Sequence, residues 1–343
     1  MEHRQSVPEA PALKRRVAIQ ASPLNLVKIS VPTDGTSLPV IISPAAHGLD
    51  PFAWAAMARQ ELAGLLAHHG GILFRGFEIN SEVEFQRFIQ AVSTDPLPYV
   101  ERSSPRTAVK GNIYTSTEHP PEFPIFLHCE NSYQKSWPLK IFFYCHTAPG
   151  QGGETPIADV RRILARIRPE VREVFAQKGV MYVRNFGAGA GLSWQTVFQT
   201  DDPKAVEEYC AASGIGCSWR GQDRLQTRHV RKAIRKHPVS GEDVWFNHSV
   251  FFHVSTLPAD VQKMLRGVLT EDELPNNTYY GDGSEIEPAV LDELRAAYAA
   301  ETVLFPWIKG DLLMLDNMLA AHGRAPFSGP RKILVGMTES CTD

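Results

Sequence analysis

The run Phe126-Leu127-His128-Cys129-Glu130-Asn131-Ser132-Tyr133 carries two ligand-type side chains with one residue between them. Side chains alternate faces along a strand, so His128 and Glu130 share a face if the segment is extended. The apolar, turn-bounded Pro124-Ile125-Phe126-Leu127 ahead of them reads as a buried strand. A second imidazole is available far downstream, in Asp316-Asn317-Met318-Leu319-Ala320-Ala321-His322-Gly323-Arg324. Brought together, the three would put two imidazoles and one carboxylate on one side of a metal and leave positions open, the arrangement of non-heme Fe(II) oxygenases. Spacing alone leaves the ordinary reading standing beside this one. The chain has 12 His, and His146, His229, His237, His248 and His253 also lie near hydrophobic segments, where a histidine is usually a satisfied structural residue.

Composition sets wide limits. The 343 residues, 43% hydrophobic and 21% charged, describe an ordinary globular chain with material for a large core. A formal net charge of −3 provides no global attraction to nucleic acid or to an anionic membrane. The five cysteines, Cys129, Cys145, Cys210, Cys217 and Cys341, are odd in number and fit neither a disulfide framework nor a CxxC metal site. With no secretory-type apolar core at the N-terminus and no apolar run of about 20 residues, the expectation is a cytoplasmic protein without a membrane span.

Residues 1–24 mix Pro, Arg, Glu and Ala without periodicity and read as a loose tail. Phe52 to His68 reads as an amphipathic helix started by Asp50-Pro51 and stopped by Gly70-Gly71. A short buried strand, Gly71 to Phe77, follows, then a helix headed by Ser81. Pro96 to Pro124, rich in Ser, Thr, Pro and Arg, reads as a long functional loop. Leu139 to Cys145 is a dense strand running into the Pro149-to-Pro156 turn. Helical stretches around 158–178, 194–213, 258–270 and 287–300 alternate with strands at 180–186 and 243–253. The chain closes with strand, turn, strand over Phe305 to Asn317 and a last strand from Arg331 to Met337. Strands near both ends with helices between them fit a mainly β jelly roll better than a parallel α/β sheet. Residues 25–343 form one expected domain, with helical insertions over about 158–300.

Several runs in a fixed order resemble one family. They are Phe126 to Tyr133, Gly152-Gly153-Glu154-Thr155-Pro156-Ile157-Ala158-Asp159, Trp245-Phe246-Asn247, Tyr279-Tyr280-Gly281-Asp282-Gly283, and Leu315-Asp316-Asn317 through Arg331. Across roughly residues 70–340 they look like the taurine dioxygenase superfamily, and within it the branch of syringomycin-type aspartyl hydroxylases. The resemblance implies a double-stranded β-helix (jelly-roll, cupin-like) core, with Fe(II), 2-oxoglutarate and O2 as cofactor and cosubstrates. It makes His128, Glu130 and His322 the metal ligands. It also speaks against halogenation, since the family's halogenases carry a small residue where this chain has Glu130.

The distal carboxylate of 2-oxoglutarate calls for a fixed cation, and the planar fork of an Arg matches it best. Arg331 stands at the head of the last strand. Left to its own sequence it could equally be a surface charge closing the Ser328-Gly329-Pro330 turn, and Arg324 and Lys332 are substitutes for the role. The Thr155 hydroxyl could give the same carboxylate a second hydrogen bond or could stabilise its turn; the family's matching threonine contacts the cosubstrate. Arg106, Tyr133, Arg184 and Asn247 are polar candidates for the substrate, each equally able to serve as a structural hydrogen-bond partner. Asn131 and the run His248-Ser249-Val250-Phe251-Phe252-His253 depart from the branch pattern, which makes an aspartyl-type substrate unsafe to transfer. The expected activity is hydroxylation, epoxidation or desaturation of an unactivated carbon in an amino acid or a derived amide or thioester of specialised metabolism. A non-catalytic cupin-like metal- or ligand-binding protein is the alternative, and a zinc hydrolase a third reading. The cations Arg224, Arg228, Arg231, Lys232, Arg235 and Lys236, with no acid among them, read as solvated surface or as a docking patch for an acidic carrier protein.

Overall fold

The computed structural model describes residues 22–33, 35–99, 101, 106–117, 119–187, 191–221 and 223–343. Its centre is an eight-stranded sheet in the order Val27–Ser30, Val40–Pro44, Gly71–Phe74, Leu312–Asp316, Ser136–Thr147, Lys332–Thr342, Ile113–Thr115 and Ala108–Lys110. The pairings are antiparallel except between Val40–Pro44 and Gly71–Phe74. Alternation along the strands gives the sheet two apolar faces. Phe142, Tyr144, Leu312, Met314 and Leu334 pack with Trp54, Leu62, Phe85 and Phe88 of the N-terminal helices. Ile141, Phe143, Cys145, Leu313, Leu315, Ile333, Val335 and Met337 line the other face.

A three-stranded sheet, with Ala320–Arg324 between Ile125–His128 and Ile157–Asp159, shares that second cluster through Ile157 and Ala320. The short strands Phe327–Ser328 and Gln151–Gly152 pair beside it. Gly323 is required where these strands cross, since a Cβ there would stand 2.6 Å from the Ile125 carbonyl oxygen.

The N-terminal helices follow their start signals. Asp50 Oδ1 accepts from the Phe52 and Ala53 amides at 2.9 and 3.2 Å, ahead of Pro51, and Ser81 Oγ accepts from Glu84 N at 3.2 Å. The single expected helix over 52–68 is instead Pro51–Met57 and Arg59–His69, joined at Ala58. Of the tail expected over 1–24, residues 1–21 lie outside the described residues. Pro23–Leu26 is a 3-10 turn tied to the body by Trp54 Nε1, which donates to the Pro23 carbonyl at 3.0 Å.

Other departures have local causes. The loop expected from Pro96 to Pro124 contains two three-residue strands, Ala108–Lys110 at the sheet edge and Ile113–Thr115 beside it, each too short to show a hydrophobic period. In Phe305 to Asn317 only Leu312–Asp316 is a strand; Pro306 has no amide to donate, and Phe305 and Trp307 pack into the core without a ladder. Of 243–253 only Asp243–Trp245 is extended, and the last strand runs on to Thr342.

The region 158–300 holds more than helices. Gly216–Trp219, Leu225–Arg231, Val180–Phe186 and Asn276–Tyr280 form a four-stranded sheet in that order. Leu225–Arg231 is therefore an inner strand, with Thr227 and His229 buried while Arg228 and Val230 face outward. The basic run is also internally partnered. Arg224 lies 3.9 Å from Glu273, Arg228 3.0 Å from Asp272, and Lys236 3.0 Å from Asp243; Lys232 and Arg235 meet Asp343 at 3.4 and 2.5 Å. Arg231 donates to the Ser213 carbonyl at 2.7 Å. Five of the six cations thus meet an acid within the chain, Lys232 and Arg235 sharing one, while Arg231 donates to carbonyl oxygen instead. Pairing reduces the free charge on which carrier docking would rest without removing it. Among the described residues no helix is long and apolar enough to cross a membrane, and all five cysteines are free thiols.

Candidate active site

His128 ends its strand and His322 stands directly opposite it in the antiparallel register, with ring centroids 4.5 Å apart. His128 Nδ1 lies 2.8 Å from the Phe126 carbonyl oxygen, so it carries the proton and Nε2 keeps a free lone pair. Glu130 reaches the same place by a different route from strand alternation. The strand stops at His128, and the chain turns through Cys129 to Ser132 with Asn131 left-handed at φ 57°. What fixes Glu130 is Asn317, whose Oδ1 accepts from Glu130 N at 2.7 Å and whose Nδ2 donates to the Glu130 carbonyl at 2.9 Å.

Ligand atoms of His128, Glu130 and His322 all lie within 4.8 Å of one another, and all three residues are buried. His322 Nε2 is 3.8 Å from Glu130 Oε2, too long for a hydrogen bond and wide enough for a shared cation. Burial holds His128 down to about 3, with the neighbouring His322 adding to the shift, and burial also lowers His322. Burial pushes Glu130 up, but Arg106 and the two imidazoles outweigh it and hold the carboxyl well below its usual range. The cluster is therefore two neutral imidazoles and one carboxylate, the protonation states a divalent metal needs.

Aromatic rings wall the cluster. Phe251 stacks on His128 at 4.5 Å and 13°, Phe143 packs on His322 at 5.0 Å, and His248 lies 5.5 Å from His128. The His248 ring is fixed by Nδ1, 2.5 Å from Ser132 Oγ. Of these wall residues, the sequence had offered only the unusual run 248–253, and nothing in it distinguished Phe251.

One cavity joins His128 and His322 to Arg106, Thr155, Arg324 and Arg331. Arg331 donates from Nε to the Gly153 carbonyl at 2.9 Å and from Nη1 to Ser116 Oγ at 3.3 Å. Burial lowers it to about 10, so it stays charged at neutral pH. The strand that follows it, Lys332–Thr342, pairs with Ser136–Thr147 and Ile113–Thr115. Arg324 shares the cavity but spends Nη1 and Nη2 on the carbonyls of His119, Pro120 and Phe123. Thr155 Oγ1 accepts from Trp307 Nε1 at 3.1 Å, which leaves its own hydrogen to donate. Lys332 does not line the cavity.

Of the four substrate candidates, only Arg106 lines this cavity. Tyr133 is buried with its hydroxyl donating to the Glu101 carbonyl at 2.6 Å. Arg184 faces Glu101 at 3.7 Å and lies over the Tyr133, Phe186 and Phe252 rings. Asn247 bridges the Ala233 carbonyl and the Ser249 amide, both at 2.9 Å. These three side chains brace the walls in this structure.

The family model described as "Taurine catabolism dioxygenase TauD, TfdA family" matches residues 35–338. The chain belongs to that family. It is 42% identical over 275 residues to the dapdiamide synthesis protein DdaC of Enterobacter agglomerans, covering 80% of this chain and 84% of the relative. A clavaminate synthase-like protein of Arabidopsis thaliana is 30% identical over 321 residues, 90% of each chain. Among solved structures, PvcB, an Fe, alpha-ketoglutarate dependent oxygenase from an isonitrile synthetic pathway, superposes with a TM-score of 0.56 at 15% identity. That match covers 97% of this chain and 98% of PvcB, and it is a likeness of fold. The chain is thus an Fe(II)/2-oxoglutarate-dependent dioxygenase, which sets aside the non-catalytic and zinc-hydrolase readings.

Proposed function

We propose that this protein oxidises an unactivated carbon of an amino acid, or of an amide or thioester derived from one, in the biosynthesis of a specialised metabolite. The observation that carries the reading is one cavity lined by two neutral imidazoles, which share a cluster with the ionised Glu130 carboxylate, and by the buried, charged Arg331 and the Thr155 hydroxyl. The donor set fits iron. His128, Glu130 and His322 would hold Fe(II), while Arg331 and Thr155 would hold the distal carboxylate of 2-oxoglutarate. Iron, when bound, would activate O2, the oxidant of the reaction, one oxygen atom going into succinate as 2-oxoglutarate loses CO2 and the other into the substrate. The chain's own part is to fix three ligands, leave the remaining positions accessible, and shield the reacting centre from water with Phe251, Phe143 and the ordered His248 ring.

The core is read as a double-stranded β-helix, the large sheet and the three-stranded sheet enclosing the cavity, and residues 25–343 as one domain. The insertion 158–300 supports this, since its helices and sheet share a cluster with Leu127, Cys129, Met318 and Leu319. DdaC, named for dapdiamide synthesis, favours the setting of specialised metabolism. The unpaired thiols suit a reducing, cytoplasmic compartment. Anaerobic addition of Fe(II) and 2-oxoglutarate should give a weak visible charge-transfer band, and O2 should then release succinate. With a panel of amino acids and their amides, the true substrate class raises succinate release above the uncoupled rate. Loss of neither band nor succinate in His322→Ala would sink the ligand assignment.

A further inference from the structure

We propose that Arg106 recognises a free carboxylate of the substrate. The inference rests on the oxygenase reading above and narrows its substrate class. Arg106 is 7% exposed and lies over the Tyr99 ring at 4.5 Å. Its Nη2 donates to Glu130 Oε2 at 2.7 Å. Its Nε and Nη1 are buried and have no partner among the described residues. Leaving guanidinium donors buried and unpaired is costly, so a fold that keeps two of them beside the reacting centre holds them for a group that the described residues do not supply.

The neighbouring arginines are used differently. Arg324 and Arg331 spend donors on carbonyl oxygens, and Arg184 faces Glu101. Glu130 is the acid opposite Arg106, and it is also the carboxylate of the metal cluster. A dication at that cluster takes up the negative charge of Glu130 and leaves Arg106 without an acid of its own. The planar fork favours a planar acceptor taken by two donors, which a carboxylate supplies and a primary amide or thioester does not. Arg106 and Arg331 thus divide the cavity into two anion subsites, Arg331 for 2-oxoglutarate and Arg106 for the substrate. A free carboxylate at Arg106 also disfavours a substrate tethered through that carbon to a carrier, in keeping with the internal pairing of the 224–236 cations.

The test is calorimetric titration of the full chain loaded with Mn(II) and 2-oxoglutarate, using a panel of N-acetyl amino acids and their C-terminal amides. The best-bound acid should exceed its amide by about ten-fold or more, the worth of a charge-assisted pair. Arg106→Gln should bring the two within about two-fold. Arg106→Lys keeps a cation beside Glu130 without the fork, and should retain Mn(II) binding while losing most of the preference. In both variants the 2-oxoglutarate requirement stays near that of the parent. A panel in which no acid outbinds its amide would overturn the proposal, as would a preference that survives both substitutions. A rise in 2-oxoglutarate requirement in place of the lost preference would assign Arg106 to the cosubstrate and overturn it equally. The oxygenase reading fails separately, in the parent protein, if Fe(II) and 2-oxoglutarate give no charge-transfer band.

Discussion

Asn317 brackets Glu130 from both sides of its backbone, accepting from the Glu130 amide at 2.7 Å and donating to the Glu130 carbonyl at 2.9 Å. The same Nδ2 also donates to the Pro138 carbonyl at 2.8 Å. Asn317 itself sits in the turn between Leu312–Asp316 and Ala320–Arg324, so one side chain ties the segment leading to His322 to the backbone that aims Glu130. Two of the three ligand candidates are thereby set by a single amide.

Asn317→Ala removes three hydrogen bonds from a fully buried position. Partners outside the ligand set affect metal affinity about 10- to 100-fold, and three unmet buried groups cost on the order of 3 kcal/mol or more. Mn(II) titration and urea unfolding check the two effects. Unchanged metal affinity in a folded variant would show that the turn through Asn131 holds Glu130 unaided.

Replacing His128, Glu130 or His322 by Ala should abolish metal binding and O2-dependent succinate release. Far-UV circular dichroism should stay that of the parent, because each side chain faces the cluster more than the apolar core. Near-normal turnover in His322→Ala would remove that residue from the ligand set.

Arg331→Ala should raise the half-saturating concentration of 2-oxoglutarate ten- to a hundred-fold, about 1.5–3 kcal/mol for a charge-assisted pair. Substrate affinity should move much less. Arg324→Ala is the comparison, since its Nη donors already serve His119, Pro120 and Phe123, so the expected loss there is in stability. If the 2-oxoglutarate phenotype appears at Arg324 and not at Arg331, the clamp belongs to Arg324.

The residues whose chemistry is local were legible in the sequence. His128, Glu130 and His322 stood out by type and spacing, and Asp50, Ser81 and Gly70 marked helix ends by their own hydrogen bonds or left-handed backbone. What depended on long-range packing was not legible. Leu225–Arg231 looked like a charge run because an inner strand with one solvated face puts its cations outside. Tyr133, Arg184 and Asn247 carry groups suited to a substrate, and only the fold shows Glu101 and two peptide groups meeting them first. Phe251 could not be told from any core phenylalanine until it lay on the His128 ring.

Acid should unfold the protein earlier than its carboxylates alone would. Burial holds His229 down to about 3, with Arg231 adding to the shift, and holds His253 down to about 4, with Arg295 adding. His128 is likewise held to about 3. In the unfolded chain each titrates near 6.5. Between about 6.5 and 3–4 the unfolded state therefore binds protons that the folded state refuses, and stability rises with pH across that window. It is complete above about 6.5 and falls as the pH drops, by up to about 1.4 kcal/mol per pH unit for each such histidine. Urea midpoints at pH 7.5, 6.5, 5.5 and 4.5 should decline through the last three values. His229→Gln, which can keep a donor for the Tyr133 carbonyl now 2.9 Å from Nε2, should flatten the decline even if it lowers the midpoint at pH 7.5. A midpoint constant down to pH 4.5 would show that these imidazoles accept protons in the folded state, and a decline that His229→Gln leaves equally steep would show the same of His229 alone.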